Sequence, residues 1–437
     1  MVGRTSIEER LRVIGAPKGD TDGSTMLKKW NDHLKKFSNY MEEDYKENRE
    51  TSKEFNKKIE ILKEIEGYLA KEVLNKPIRG VQYEMKAVVP FGSSASGLGM
   101  KGGDLDMIVC VHPPIRKRDK EITHSRSNDI LKVIFQHITE KKMLKDREVE
   151  DMEHYDTARV PIITGYIDDV EIDISISMTY MVSAQYLSSK FIDAYEKYNR
   201  DFIILAAFVK KWQKSMKTEE NEDYHRRVFP NSCSLVLLVI FFMKYYGLLP
   251  DIHKDKLEES AITWKMVKQG ENGSFGTPKT DVLKWKSQMK VEVNLGTLFL
   301  LFLDFYSNVV DFKLEKVNIA RGCTFTKGKK LRNRIVIEDV IDKDNPAKSV
   351  LEPEKFQELM RSAIRIVKDS ESGKLLKKEL LSFELVEPPM TKERLSLNRN
   401  PNRQVPQIVI CCSLILQKIS EPDAKKPRVK GTDLAHF

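Results

Sequence analysis

The chain of 437 residues is 41% apolar and 32% charged, with a formal net charge of +9 and a pI near 9.0. That balance excludes a disordered or fibrous polypeptide and leaves enough chain for two or three folded domains. No apolar run approaches the roughly twenty residues of a membrane span, and the opening MVGRTSIEERLRVIG has no secretory apolar segment, so neither a membrane nor a signal peptide is expected.

Five cysteines (Cys110, Cys233, Cys323, Cys411, Cys412) show no C-x-x-C pair and no histidine at metal-ligand spacing. A zinc site or disulfide frame is therefore not expected, and the pattern suits a reducing cytosol or nucleus. The basic excess favours a polyanionic partner, although it is spread over a long chain.

In chain order, residues 1–25 carry GAPKGDTDGST without periodicity and are expected to form a mobile arm. From Met26 to Leu74 the pattern is helical, with Phe55, Ile59, Ile61, Leu62, Ile65 and Leu69 spaced by three and four among Lys and Glu. Strand-like segments follow from Val81 to Val111. They contain FGSSASGLGMKGGDLDMIV, from Phe91 to Val109. Gly92, Gly97 and Gly99, with Ser93 and Ser94, let the backbone approach an anion closely. Asp104 and Asp106, two apart on a strand, project to one face, while Leu105, Met107 and Val109 face a core. Two adjacent carboxylates call for a cation between them, and magnesium held with substrate phosphates is the natural occupant. The segment points to a nucleoside triphosphate site with metal-assisted chemistry.

Asn128–Thr139 reads as a helix and Ala158–Tyr166 as a strand. Val170–Ile176 is a second alternating strand, with Glu171, Asp173 and Ser175 on one face. Asp173, flanked by isoleucines, is the candidate third carboxylate; Asp168, Asp169 and Glu171 are assigned to the strand entry. Beyond Tyr186 helices dominate: Phe202–Trp212, Ser232–Tyr246, Leu295–Tyr306 and Glu354–Lys368. A strand pair around a basic turn is expected over 324–349. Past Pro388 the chain is rich in Pro, Asn and Arg, apart from an apolar run near Ile408. The AKKPRVK at Ala424–Lys430 reads as a solvated end.

The chain resembles the terminal nucleotidyltransferases of the cytoplasmic poly(A) polymerase and terminal uridylyltransferase type. Gly92, Ser93, Asp104, Asp106 and Asp173 match the family's Gly-Ser, spaced Asp-x-Asp and later single Asp. Pro230–Pro250 is similar to the family's helix beneath the nucleotide base, and Asn294–Gly322 to its poly(A) polymerase-associated region. Ile337–Asp339, followed by Asn345, is similar to its nucleotide-recognition loop. The resemblance covers roughly residues 55–370, in the family's order.

It implies an α/β (α+β) nucleotidyltransferase palm with a mixed sheet, joined to a mostly helical poly(A) polymerase-associated domain. The implied division is a mobile arm (1–25), a helix of the helical domain (26–69), the catalytic palm (70–185), the helical domain with its recognition loop (186–385) and a tail (386–437). Asp104, Asp106 and Asp173 become catalytic ligands of Mg2+ or Mn2+. Gly92, Ser93, Lys210, Lys214, Ser232, Cys233, Asp344 and Asn345 become nucleotide-binding residues. Lys327, Lys329, Lys330, Arg332 and Arg334 read either as RNA phosphate contacts or as a solvated hairpin. The implied partners are an RNA 3′ end and ribonucleoside triphosphates. With no RRM or zinc-knuckle motif in the chain, an RNA-binding or scaffold protein is expected to select the target. The implied location is cytoplasmic, perinuclear granules included, with the nucleus left open.

Three positions depart from the family pattern. Cys233 stands where a Tyr usually stacks on the base, a contact worth roughly 1–3 kcal/mol. Ser177-Met178 replaces an Asn pair near the ribose, and Asp344 replaces the His that precedes the loop Asn in uridine-selective members. A carboxylate accepts from ring and amino N–H groups and cannot donate. The resemblance implies untemplated tailing of RNA, and within the family it extends to the branch that adds mixed uridine and guanosine, or poly(UG), in RNA silencing. A poly(A) polymerase or terminal uridylyltransferase is the alternative, and a catalytically silent RNA-binding scaffold the second.

Overall fold

Five strands build the sheet that carries the acidic motif: β1 (Glu84–Pro90), β2 (Leu105–His112), β3 (Val149–Tyr155), β4 (Ile162–Ile167) and β5 (Val170–Ser177). Their spatial order is β1-β2-β5-β4-β3. The computed structural model describes residues 6–15, 23–113, 120–140, 143–158, 160–178, 184–218, 220–252, 279–288, 293–328, 331, 333–339 and 345–369. Strands β2 and β5 run parallel and all other neighbours antiparallel, so the sheet is mixed. A parallel pair needs a long crossover; here it includes α5 (Lys120–Thr139) and the β3–β4 hairpin.

Side-chain alternation assigns the two faces of this sheet to different cores. Leu105, Met107 and Val109 of β2 and Ile172 and Ile174 of β5 join Ile130, Leu131 and Ile134 of α5. Helix α3 (Ser52–Tyr68) adds Ile61, Leu62 and Ile65 to the same core. The opposite face, with Ala87, Val89, Ile108 and Cys110, packs into a larger helical core. That core is built from α2 (Gly23–Asn48), α6 (Ala184–Tyr198), α7 (Arg200–Ser215), α9 (Ser232–Tyr245) and α11 (Leu295–Asp304). Because Asp106 shares its face with Ile108, it points toward the helical side. Both cores belong to one compact unit, Met1–Leu385.

The remaining elements are α1 (Ile7–Gly15), α4 (Gly92–Ala95), α8 (Glu222–Val228), α10 (Lys279–Gln288) and α12 (Pro353–Asp369). A three-stranded sheet of β6 (Glu315–Asn318), β7 (Cys323–Thr326) and β8 (Ile337–Glu338) has the order β7-β6-β8. The run Glu222–Tyr245 has the length and apolarity of a membrane span, yet 78% of its apolar window is buried inside the fold, the mark of a core helix.

Several sequence expectations change. The helical stretch 26–69 is two helices, broken where Thr51 accepts from the Glu54 N–H and Glu54 reaches back to Thr51, a capping box that starts α3. Only the first joins the helical core. There the Gly296 N–H of α11 donates to Ser38 Oγ of α2 at 2.8 Å, and a Cβ on Gly296 would stand 2.3 Å from the Leu34 carbonyl oxygen. Residues 7–15, expected in a mobile arm, form α1, whose Arg10 pairs with the buried Asp304. The strand expected over 158–166 begins at Ile162, behind the unforeseen β3. Lys329, Lys330, Arg332, Asp344, the Ile408 run and the tail lie outside the described residues.

Candidate active site

The register of β2 and β5 brings the acids together: Asp106 lies directly opposite Asp173, and Asp104 immediately precedes β2. Residues 67 positions apart in sequence are thus neighbours on one sheet face. Burial pushes the Asp106 carboxyl up to about 7, with Asp104 and Asp173 adding to the rise and Lys210 and Lys58 opposing it. Asp173 is also raised, chiefly by burial; a hydrogen bond with the Thr164 side chain opposes the rise, and the charges of Asp104 and Glu171 reinforce it. These acids repel one another in a half-enclosed place.

Close to these acids stands Lys210, on the last turns of α7. Burial lowers its ammonium against the pull of Asp104 and Asp106, and Lys214 lowers it further. Lys214, one turn on, is exposed. Apart from any ligand, Asp106, Asp173 and Lys210 are therefore each biased toward their neutral forms. A ligand bringing both phosphate and cation relieves that bias on both sides.

The Gly92 turn closes the acid side. Gly92 has φ +68, and a Cβ there would sit 2.0 Å from Asp106 Oδ2. Its N–H donates to Ser189 Oγ of α6 at 2.9 Å. The expectation that the Gly92 amide itself holds phosphate is corrected: that donor is already used, and the residue instead supplies clearance for Asp106. Ser93 follows within α4, a single turn that Phe91 anchors through its N–H to the Asp106 carbonyl at 3.0 Å.

On the helical side α9 begins at Ser232, capped by Asn231, whose side chain accepts the Ser234 N–H at 2.8 Å. Ser232 and Cys233 are exposed on this first turn. Cys233 Sγ is open to solvent, yet protein encloses it on most sides; that enclosure and the nearby Asp339 push the thiol up to about 12, against Lys210. Asp339 lies just past β8, where Ser188 Oγ of α6 donates to its Oδ2 at 3.5 Å. Lys210 thus lies within electrostatic reach of Asp104, Asp106 and Cys233, and Cys233 within reach of Asp339.

Asn345 does not read a base in this arrangement. Its Oδ1 accepts from the N–H groups of Ile337 (3.0 Å) and Ala347 (3.1 Å), and its Nδ2 donates to the Ile335 carbonyl (2.8 Å). The amide is a clasp for the recognition segment, and Asn231 Nδ2 ties that segment to α9 through the Pro346 carbonyl (3.2 Å). Nor does Lys327 face RNA: it is buried, donating to the carbonyls of Phe312 and Arg334. Sequence reasoning missed Ser188, Ser189 and Asn231; Asn231 alone left a signal, as an N-cap before an apolar run. Asp339 was inside the quoted recognition motif, but the polar reading had been placed on Asp344.

Residues 37–197 match the family model described as the central palm domain of mitochondrial-like poly(A) RNA polymerase. The palm is a nucleotidyltransferase palm. Solved structures agree on the fold. The chain is similar to mtPAP in complex with UTP, at 18% identity over 80% of this chain and 71% of that one, with a TM-score of 0.58. It is similar to Cid1, solved for its RNA terminal uridylyl transferase activity, at 20% identity over 81% of this chain and 100% of that one, TM-score 0.54. The GLD-2/RNP-8 complex matches at 18% identity over 80% and 99%, TM-score 0.53. No curated protein matches by sequence.

Three hard oxygen donors, two of them with raised proton affinity, suit a divalent cation. Among the described residues no three His, Cys, Asp or Glu side chains are grouped so as to hold a metal ion by themselves.

Proposed function

We propose that this protein is a template-independent RNA 3′-terminal nucleotidyltransferase, adding nucleoside monophosphates from ribonucleoside triphosphates. One observation carries the reading: Asp106 and Asp173 side by side on one sheet face, Asp104 just ahead of β2, and Lys210 close to Asp104 and Asp106. Attack of the RNA 3′ oxygen on the α-phosphorus forms the new phosphodiester, and the bond to the β-phosphate breaks to release pyrophosphate. Asp104, Asp106 and Asp173 would hold magnesium or manganese, which when bound supplies charge stabilisation at the attacking and leaving oxygens. Lys210, joined by Lys214, grips the triphosphate as a point charge, and the Ser93 hydroxyl with the α4 amides holds its distal oxygens. Ser189 keeps the turn in place, and Ser232 borders the sugar and base.

The base pocket supports uridine and guanosine as the added nucleotides. Asp339 presents a carboxylate beside Cys233, and a carboxylate accepts from uracil N3–H or from guanine N1–H and its amino group. Adenine N1 and cytosine N3 present lone pairs at the ring position and leave the carboxylate only the exocyclic amino N–H, so they offer it one donor fewer than guanine and no ring N–H. Cys233 gives no aromatic platform, so edge contacts weigh more in selection. This favours mixed uridine/guanosine tailing over poly(A) addition; a place in RNA silencing goes with that tailing as part of the same proposal. The intact acid triad argues against a silent scaffold. GLD-2 is seen with a protein partner, RNP-8, and by analogy a scaffold protein would choose this enzyme's RNA. Cys233 and Cys323 carry thiols rather than disulfides, which suits a cytoplasmic setting.

The test is a labelled single-stranded RNA with magnesium and each nucleoside triphosphate, alone and in pairs. Extension by wild type, lost in Asp104→Ala/Asp106→Ala, is the expected result. Tails read by sequencing are expected to mix uridine and guanosine; adenylate tails alone would overturn that base choice. Absence of extension with every nucleotide, with and without cell extract to supply a partner, would overturn the enzyme reading.

A further inference from the structure

Between Ser93 and Asp104 the chain passes Gly97, Gly99, Gly102 and Gly103. A loop so rich in glycine does not hold a spacing by itself. The α2–α3 connector holds it from outside. Glu50 N–H donates to the Gly99 carbonyl at 2.9 Å, and Lys101 N–H to the Asn48 carbonyl at 2.8 Å. A Cβ on Gly99 would meet Glu50 Oε2 at 2.5 Å.

Inside this clasp lies Lys58 of α3, 3% exposed. Its Nζ pairs with Glu50 Oε1 and donates to Ser94 Oγ at 2.9 Å and to the Asp104 carbonyl at 3.0 Å. All three ammonium donors are thus used. The Ser94 hydroxyl, 3.2 Å from the Asp104 carbonyl and 3.3 Å from Glu50 Oε1, gives its single proton within the same cluster.

We propose that Lys58 is a positioning residue for nucleotidyl transfer: its buried ammonium fastens the Ser93-Ser94 turn to the backbone of Asp104, and so sets the distance between the triphosphate grip and the acid pair. This rests on the nucleotidyltransferase reading of the site. A helix outside the sheet thereby holds the two halves of the motif in register. A purely stabilising role is the competing account. Buried ion pairs are poor sources of net stability, and replacing both partners together leaves no unpaired charge. The two accounts therefore separate in a double variant.

The experiment compares wild type with Lys58→Met/Glu50→Gln. Thermal unfolding, hydrogen exchange over residues 93–104 and magnesium-dependent binding of a non-hydrolysable uridine triphosphate analogue are measured beside kcat and the KM values for nucleotide and RNA. The expected result is a Tm near that of wild type, with exchange and analogue dissociation each raised about tenfold. The expected kcat is lower by about 10- to 100-fold, with the KM for RNA within about twofold. A folded double variant with wild-type exchange, analogue affinity and kcat would overturn the proposal. Should it fail to fold, Ser94→Ala, which alters no charge, decides instead: faster exchange and a roughly three- to tenfold lower kcat support the proposal, and wild-type values of both overturn it. A wild type that binds the analogue yet extends no RNA would strike the reaction reading, leaving the exchange comparison to judge Lys58.

Discussion

Gly92 and Asp106 are in such close contact that no larger residue fits at position 92: a Cβ would stand 2.0 Å from Asp106 Oδ2, on a backbone at φ +68. Gly92→Ala is expected to cost about 1–2 kcal/mol in stability from the left-handed backbone. It is also expected to lower kcat at least about 100-fold by displacing the carboxylate. Gly80→Ala separates the two effects. That position has φ +75 with nothing within 4 Å, so it should share the stability loss and keep wild-type kcat.

The metal-free protein should become less stable as pH rises through neutrality. Asp106 has its carboxyl raised from 3.8 to about 7, so between those values the folded state binds more protons than the unfolded one, and stability falls with rising pH. Asp106→Asn removes this penalty. Without divalent metal, the variant should match wild type below about pH 4 and exceed it above pH 7, by up to about 4 kcal/mol. Magnesium should then restore wild type at pH 8 and leave the variant unmoved. Melting curves at both pH values, with chelator or magnesium, check this.

Lys210 and Lys214 should differ in weight although they share a helix face. Lys210 is enclosed close to the acids while Lys214 is exposed. Lys210→Met is expected to lower kcat/KM for nucleotide by about 100-fold, and Lys214→Met by less than about tenfold, since exposed charges are screened. Equal losses in steady-state kinetics would contradict the geometry.

Asn345→Ala should read as a folding defect before a specificity defect. It removes the partners of two backbone N–H groups and one carbonyl, costing about 1–3 kcal/mol. Base preference in tail sequencing is expected to shift less than in Asp339→Asn, which leaves that clasp intact.

Asp106 and Asp173 were legible because strand alternation determines which side chains share a face; Asp104, expected on the same strand, falls one residue ahead of β2. Lys58 was not legible. On α3 it reads as one more lysine among many, and only the fold shows that it is buried 36 positions from Ser94 and 46 from Asp104. Asn345 misled for a related reason: a polar residue in a recognition loop reads as a ligand contact, while the demand of buried backbone groups for partners is invisible in sequence. The break between α2 and α3 was written in Thr51 and Glu54, but a continuous apolar period across it looked like one helix.

Helix α2 is built into the helical core before the chain has entered the palm, and α6 returns to that core once the palm is complete. The palm is therefore held to the helical core by its packed sheet face, through Ala87, Val89, Ile108 and Cys110, as well as by the chain itself. The Lys58 clasp sits where the chain first leaves that core, near Glu50. The Gly92 turn and Asp104 are thus fastened where the two cores share backbone.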